Sequence, residues 1–208
     1  MKEKDSLSKL AQRILAMKQK TRGMDLKKMA DYVRKKEGAG GLRKVENFLE
    51  EIGYPMFYKE IQKVKVYTLG ERLLYLFAIK KSLGWDDNKL EEMGYYVGKN
   101  LIIVKYFSHL FRINKKFFFT LLPKVGERYM EGLKVVPIEG DTKNKYARFK
   151  IIGLEIVGEE DLKEIEKMGL SYFSGFFRGW AQMILGVKKV HCTAKRAKDG
   201  YMFNISWL

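Results

Sequence analysis

The chain has 208 residues, with 41 lysines and arginines against 25 acids and a formal net charge of +16. That length can bury a substantial core. The single cysteine excludes an intramolecular disulfide and the paired-cysteine metal motifs, and only 3 prolines with no Ser/Gly-rich tract argue against a flexible linker between two domains.

Ser6 or Ser8 is placed to cap a first amphipathic helix whose Leu10, Ile14 and Met17 share a face, so residues 1–20 are expected to form a docked or frayed helical arm. Thr21-Arg22-Gly23 interrupts it. Two short helices are predicted over residues 25–36 (Met29, Tyr32 and Val33 inward) and 41–52 (Leu42, Val45, Phe48 and Leu49 inward), with Gly38-Ala39-Gly40-Gly41 between them too glycine-rich to continue a helix. Tyr54-Pro55 ends the second. After an extended segment over residues 64–67, helical periodicity returns over residues 69–83 through Leu73, Leu76, Phe77 and Lys80. Gly84 stops that helix, and Asp86 or Asp87 caps the next, which carries Leu90, Met93, Tyr96 and Val97. The most aromatic stretch, residues 107–129, is expected to lead into a helix over 114–130 capped by Asn114.

Beyond it the period switches. Residues 135–138 and 146–156 read as strands around a turn at 140–144, followed by a helix over 170–185 with Phe173, Phe177, Trp180 and Ile184 on one stripe. Gly175 and Gly179, one turn apart, leave a groove where another backbone can approach closely. Two alternating strands close the chain. Val190, Cys192 and Ala194 oppose His191, Thr193 and Lys195, while Tyr201, Phe203, Ile205 and Trp207 share a face, and Asp199-Gly200 suits a tight hairpin turn. The predicted class is α+β: a helical N-terminal part packed with a C-terminal, mostly antiparallel four-stranded sheet in strand–strand–helix–strand–strand order, residues 21–208 forming one domain. No stretch reaches the roughly 18 uncharged apolar residues of a bilayer span. With no apolar signal region at the N-terminus, a cytoplasmic protein is expected.

Several of these segments resemble known families. Met93-Gly94-Tyr95-Tyr96-Val97-Gly98-Lys99-Asn100-Leu101 is similar to the Met-Gly-Tyr-x-x-Gly-x-x-Leu helix of TRAPP vesicle-tethering subunits and 4-vinyl-reductase domains. Tyr172 to Trp180, with a hairpin ending Asn204-Ile205-Ser206-Trp207, resembles the last helix and strands of the same superfamily, which includes the haem nitric-oxide sensors and has the NO signalling/Golgi transport ligand-binding fold. Arg22-Gly23-Met24 through Val45, with Thr68-Leu69-Gly70-Glu71-Arg72-Leu73, resembles uncharacterised haem-NO-sensor-like proteins of the myxobacterial type.

What the resemblance implies can be set against the residues. A haem sensor needs an axial histidine and a Tyr-x-Ser-x-Arg signature that holds the propionates. The histidine is expected near residues 131–136, where there is none, and the second strand carries Ile151-Ile152-Gly153-Leu154-Glu155 in place of the signature. Tyr172-Phe173-Ser174 is a partial echo with Phe176 at the arginine position. His109 and His191 read as a hydrogen-bonded helix or loop residue and a strand-exterior residue. Cys192 stands where some 4-vinyl-reductase domains hold zinc, but one thiolate cannot close a four-ligand site, and it reads as a small buried core residue. Gly38, Gly40 and Gly41 lack the Lys-Ser/Thr sequel of a phosphate loop. Asp86-Asp87 and Glu91-Glu92 diverge around a helix and read as capping and solvated acids. Glu155, if inward, would seek Arg148 or Arg178.

No cofactor, metal or catalytic residue is therefore expected. The predicted function is a non-enzymatic sensory or scaffold domain that binds a small apolar ligand or a protein partner, with Phe107, Phe111, Phe118, Leu122, Phe173, Phe177 and Trp180 as pocket walls. The alternative is nucleic-acid or other polyanion binding through Lys143, Lys145, Lys188, Lys189, Lys195, Arg196 and Lys198, less favoured because the lysines are scattered along the chain. A homodimer through Leu73, Leu76 and Phe77 is expected only if the core leaves that face free.

Overall fold

A computed structural model describes residues 2–101, 127, 130–153 and 162–208. Along the chain run α1 (Lys2–Leu15), β1 (Lys20–Arg22), α2 (Met24–Glu51), β2 (Val66–Thr68), α3 (Leu69–Leu83), α4 (Asp87–Lys99), β3 (Met130–Glu131), β4 (Lys134–Asp141), β5 (Tyr146–Ile152), α5 (Lys163–Leu185), β6 (Val190–Ala197) and β7 (Gly200–Trp207). The class is the α+β one expected, with the strand–strand–helix–strand–strand order in the C-terminal part. Two compact units arise, Met1–Leu90 with Ile156–Gly169 and Glu91–Glu155 with Leu170–Leu208. Most of the expected helix over residues 114–130, its cap Asn114, the aromatic residues 107–126, His109 and Glu155 lie outside the described residues; at its expected end Met130 is not helical but begins β3.

In the first unit α3 has the predicted bounds, because both ends are chemically marked. Thr68 Oγ1 accepts from Glu71 N at 3.0 Å while Glu71 Oε2 accepts from Thr68 N at 2.6 Å, a reciprocal capping box, and Gly84 closes the other end in the left-handed region. Leu73 through Ile79 are all buried, so over these residues the helix is covered on every side and not on one stripe. Leu73, Leu76 and Phe77 are therefore consumed by the core, which removes the face expected to support a homodimer. Lys80 turns outward to Asp87 at 2.7 Å.

Arg72, on the same helix, is fully buried and meets the equally buried Asp25 at the start of α2, 2.7 Å apart. Removing both charges from water is costly, but stranding one is worse. The N-terminal arm is docked: Ala11 and Ile14 are fully buried, and the chain after it is tied to α3 by Leu69 N donating to Gln19 O at 2.6 Å. Ser8 is no cap, since the helix already runs from Lys2 and the Ser8 hydroxyl donates to Ile52 O at 3.3 Å. The interruption expected at Thr21-Arg22-Gly23 contains a strand, β1, paired antiparallel with β2 from Lys20↔Thr68 to Arg22↔Val66. The two helices predicted for residues 25–36 and 41–52 form one element broken at a single residue, Gly38 (φ 70°, ψ −169°). That conformation is open only to glycine.

In the second unit β4, β5, β7 and β6 form an antiparallel sheet in that order. Period-2 alternation puts Ala147, Phe149, Ile151, Tyr201, Phe203, Ile205 and Trp207 on the covered face. Strand β4 runs through the expected turn start to Asp141, with a bulge between Pro137 and Glu139. The connection to β5 is held by the Asp141 carboxylate, which accepts from Lys143 N at 2.7 Å and Asn144 N at 3.1 Å. Strand β5 ends at Ile152 rather than near Ile156. The final hairpin is one residue out of the predicted register: Ala197 pairs with Gly200, so Lys198 and Asp199 make the turn. Gly200 is required for another reason, since a β-carbon there would collide with the Ile151 carbonyl.

Helix α5 begins at Lys163, earlier than the predicted Leu170, because Ile165 and Met168 are fully buried and continue the apolar helical spacing towards the N-terminus, with Glu164 and Glu166 in the first turn. Its Gly175 and Gly179 face α4, whose Gly94 and Gly98 face back. A β-carbon at any of the four would fall well inside contact with a backbone carbonyl of the other helix: Glu91, Tyr95, Tyr172 and Phe176 respectively.

Arg72→Ala is expected to destabilise the protein by about 3–5 kcal/mol in denaturant unfolding, because it leaves Asp25 charged and buried. Gly98→Ala should lower stability by about 3 kcal/mol through the clash with the Phe176 carbonyl. Gly40→Ala, at an open helical position, should raise it by about 0.5–1 kcal/mol.

Candidate functional site

The covered face of the sheet is lined by the aromatic stripe of α5. The Phe177 ring lies 5.0 Å from Phe149 and 4.8 Å from Phe203, both edge-on, while Phe149 and Phe203 stack at 5.4 Å. Phe173 and Trp180 flank it along the helix, with centroids 6.4 and 6.1 Å away. These three predicted wall residues are buried and brought together as the helical spacing requires. The other four, Phe107, Phe111, Phe118 and Leu122, lie outside the described residues.

The seven predicted polyanion contacts are all exposed but divide into two groups. Lys143 and Lys145 lie in the β4–β5 turn, and Lys188 and Lys189 enter β6 at the same end of the sheet, where Trp207 N donates to Lys145 O and Leu208 N to Lys189 O. Lys195, Arg196 and Lys198 lie at the far end of β6, roughly 20 Å away for six residues of strand. Between them the solvent face carries a partly neutralised set. Arg148 meets Glu139 at 3.4 Å and Asn204 at 2.8 Å, Tyr146 donates to Glu139, and Lys150 pairs with Asp199.

Titratable side chains beside the aromatic layer are committed to structural partners. Arg178 pairs with Glu91 at 2.8 Å and stands 5.0 Å over the Tyr95 ring, and the Tyr95 hydroxyl donates to Gln182 Oε1. Cys192, on β6, is half-buried. Burial first, and then the charge of Glu91, push its thiol up to about 12. The adjacent acids diverge as expected. Asp86 caps α4 by accepting from Lys89 N at 2.9 Å, whereas Asp87 bridges Lys80 and Lys167 at 2.7 and 2.9 Å. Burial raises the Asp87 carboxyl, but the hydrogen bonds from Lys167 and Lys80 outweigh it and hold the group below its ordinary range.

Among the described residues no group of three or more His, Cys, Asp or Glu side chains is placed to hold a metal. No helix among them is long and apolar enough to cross a membrane. Of the two histidines that could ligate a haem, His109 lies outside the described residues. The one histidine among them, His191, is exposed on the opposite sheet face, paired with Ser206. Arg148 on β5 and Arg178 on α5 are both ion-paired.

No family model matches the chain, and no curated protein matches it. Solved structures do. The chain is similar to an Fe(II) unliganded H-NOX protein from K. algicida, with 14% identity over 90% of this chain and 97% of that one and a TM-score of 0.57. It is similar also to an S. oneidensis H-NOX protein in the Fe(II)NO state, with 12% identity, 90% and 99% coverage and a TM-score of 0.55. A third structure, from work on haem distortion in the H-NOX family, gives 12% identity, 90% and 95% coverage and a TM-score of 0.54. The fold is H-NOX-like.

Cys192 is expected to react slowly with disulfide reagents at neutral pH and to become reactive on unfolding in urea, measured as the ratio of the two rates. Its raised folded value also means that stability falls as pH climbs from about 9 towards about 12. Cys192→Ala should make that slope shallower, leaving the part due to Tyr75 and Tyr58, whose folded values are also raised.

Proposed function

We propose that the chain is a non-enzymatic sensory or scaffold domain that works in the cytoplasm, without haem, by holding a small apolar ligand or a protein partner. The observation that supports this is the H-NOX-like fold, shared with H-NOX proteins solved in Fe(II) and Fe(II)NO states; the haem-free part of the reading rests on the sequence, which has no histidine at residues 131–136. A buried aromatic layer with its polar neighbours already paired favours an apolar occupant over a charged one. In this reading residues 21–208 act as one domain, with residues 1–20 as its arm. The segment Met93 to Leu101 supports kinship with TRAPP and 4-vinyl-reductase domains through its two helix-packing glycines, Gly94 and Gly98.

Native mass spectrometry of the freshly purified protein, paired with haemin titration, tests this. A retained small organic molecule or a bound second protein, with no Soret band developing on haemin addition, is the expected result. A stoichiometric Soret band with histidine ligation overturns the haem-free reading, and a bare single chain under conditions that preserve non-covalent complexes overturns the ligand reading.

A further inference from the structure

In the first unit the break in α2 creates a second site. Arg34 and Arg43 are nine residues apart, about two and a half turns at ~3.6 residues per turn, and on an unbroken helix they would point to opposite sides. The non-helical Gly38 turns the second half of α2, and both arginines come to line one pocket of about 520 Å³. Ala39, Leu42 and Phe57 form its apolar lining, and Lys59 adds a third cation. Its size falls in the range of small-molecule sites, roughly 300–1,000 Å³.

The wall opposite α2 is pinned in place. Tyr58 N donates to Glu46 Oε1 at 2.7 Å, the Tyr58 hydroxyl donates to Asp31 Oδ1 at 2.8 Å, and Lys27 Nζ donates to Tyr58 O at 2.7 Å and lies 3.3 Å from the centre of its ring. Immediately before the elbow, Glu37 accepts from Trp85 Nε1 at 2.9 Å. Such a wall is preorganised, which lowers the entropy lost on binding. Of the acids here, Glu46 and Asp31 each already accept one of these bonds, whereas Arg43 and Lys59 make no hydrogen bond or ion pair among the described residues.

We propose that this pocket binds an apolar small molecule carrying a single carboxylate, its body on Ala39, Leu42 and Phe57 and its charge between Arg34 and Arg43. A guanidinium presents paired donors that match a carboxylate. Glu46 and Glu60 also line the pocket and repel a doubly charged head such as a phosphate monoester, which favours the singly charged one.

Naphthoate, naphthamide and naphthyl phosphate, titrated into the full chain by calorimetry, test the assignment. Naphthoate should bind saturably at one per chain, with the neutral amide and the phosphate ester each weaker. Arg43→Gln and Arg34→Gln, both at exposed residues although Arg34 also stands 5.8 Å from the Tyr58 ring centre, should each weaken naphthoate about tenfold or more. Ala39→Trp should abolish binding by filling the pocket, with circular dichroism and melting unchanged in all three variants. Absence of saturable binding, binding indifferent to the three substitutions, or amide or phosphate ester binding as tightly as naphthoate would each overturn the proposal. Because this site shares no residue with the aromatic layer, binding that survives all three substitutions reports on another site and leaves the proposed function to its own test.

Discussion

Two helices in the second unit approach until their backbones touch, and the layering of that unit follows from this contact. Gly94 and Gly98 on α4 and Gly175 and Gly179 on α5 interleave so closely that each occupies the space beside a carbonyl of the partner helix. Side chains have no room in such a crossing, so the attraction comes from dispersion and from Cα–H groups against carbonyl oxygens over a large backbone area. The glycine face of α5 lies opposite its aromatic face. Once α4 claims the first, Phe173, Phe177 and Trp180 are directed to the sheet, where Phe149 and Phe203 receive the Phe177 ring.

The first unit is organised around a different constraint, a charged pair sealed in a hydrophobic core. α3 runs through the interior with Leu73 to Ile79 buried, and Arg72 would be intolerable there without Asp25. The pair ties the start of α2 to the start of α3, because separating two charges that are both fully buried would leave each of them desolvated without its counter-charge. The opposite end of α3 is tied by weaker surface chemistry. Lys80 meets Asp87, which also reaches Lys167 at the start of α5, and Lys81 meets Glu164 at 3.1 Å. These exposed and half-exposed pairs add little stability individually, on the order of 0–1 kcal/mol, and chiefly select the register in which the ends of the helices meet.

Much of this was legible in the residues, and the failures have physical causes. The bounds of α3 and the covered faces of β6 and β7 follow from local rules, capping chemistry and period-2 alternation, that need no knowledge of the neighbours. β1 was missed because three residues, Lys20 to Arg22, carry no periodicity and become a strand only when β2 offers its hydrogen bonds. The turn of the last hairpin slipped by one residue because Asp199-Gly200 is a strong local turn signal, and the competing demand, the closeness of Gly200 to the Ile151 carbonyl on the neighbouring strand, is non-local. The spacing of Leu73, Leu76 and Phe77 marks an apolar stripe, but whether a stripe is spare depends on what covers it, and all three are fully buried.

Of the candidate sites, the aromatic layer was partly visible, since Phe173, Phe177 and Trp180 announce themselves by helical spacing. The pocket at the α2 elbow was not. Its arginines lie half a turn out of phase, and only the backbone angle at Gly38 brings them to one cavity. The sequence by itself determined which segments are helix and strand and which face of each is apolar, because propensity, capping and periodicity act between residues a few positions apart. Tertiary structure alone decided that Asp25 would meet Arg72, that one glycine pair would dock on the other, and that Arg34 and Arg43 would share a cavity. Those outcomes depend on contacts between residues far apart in the chain, or on the direction taken after a single bend, and no local pattern encodes either.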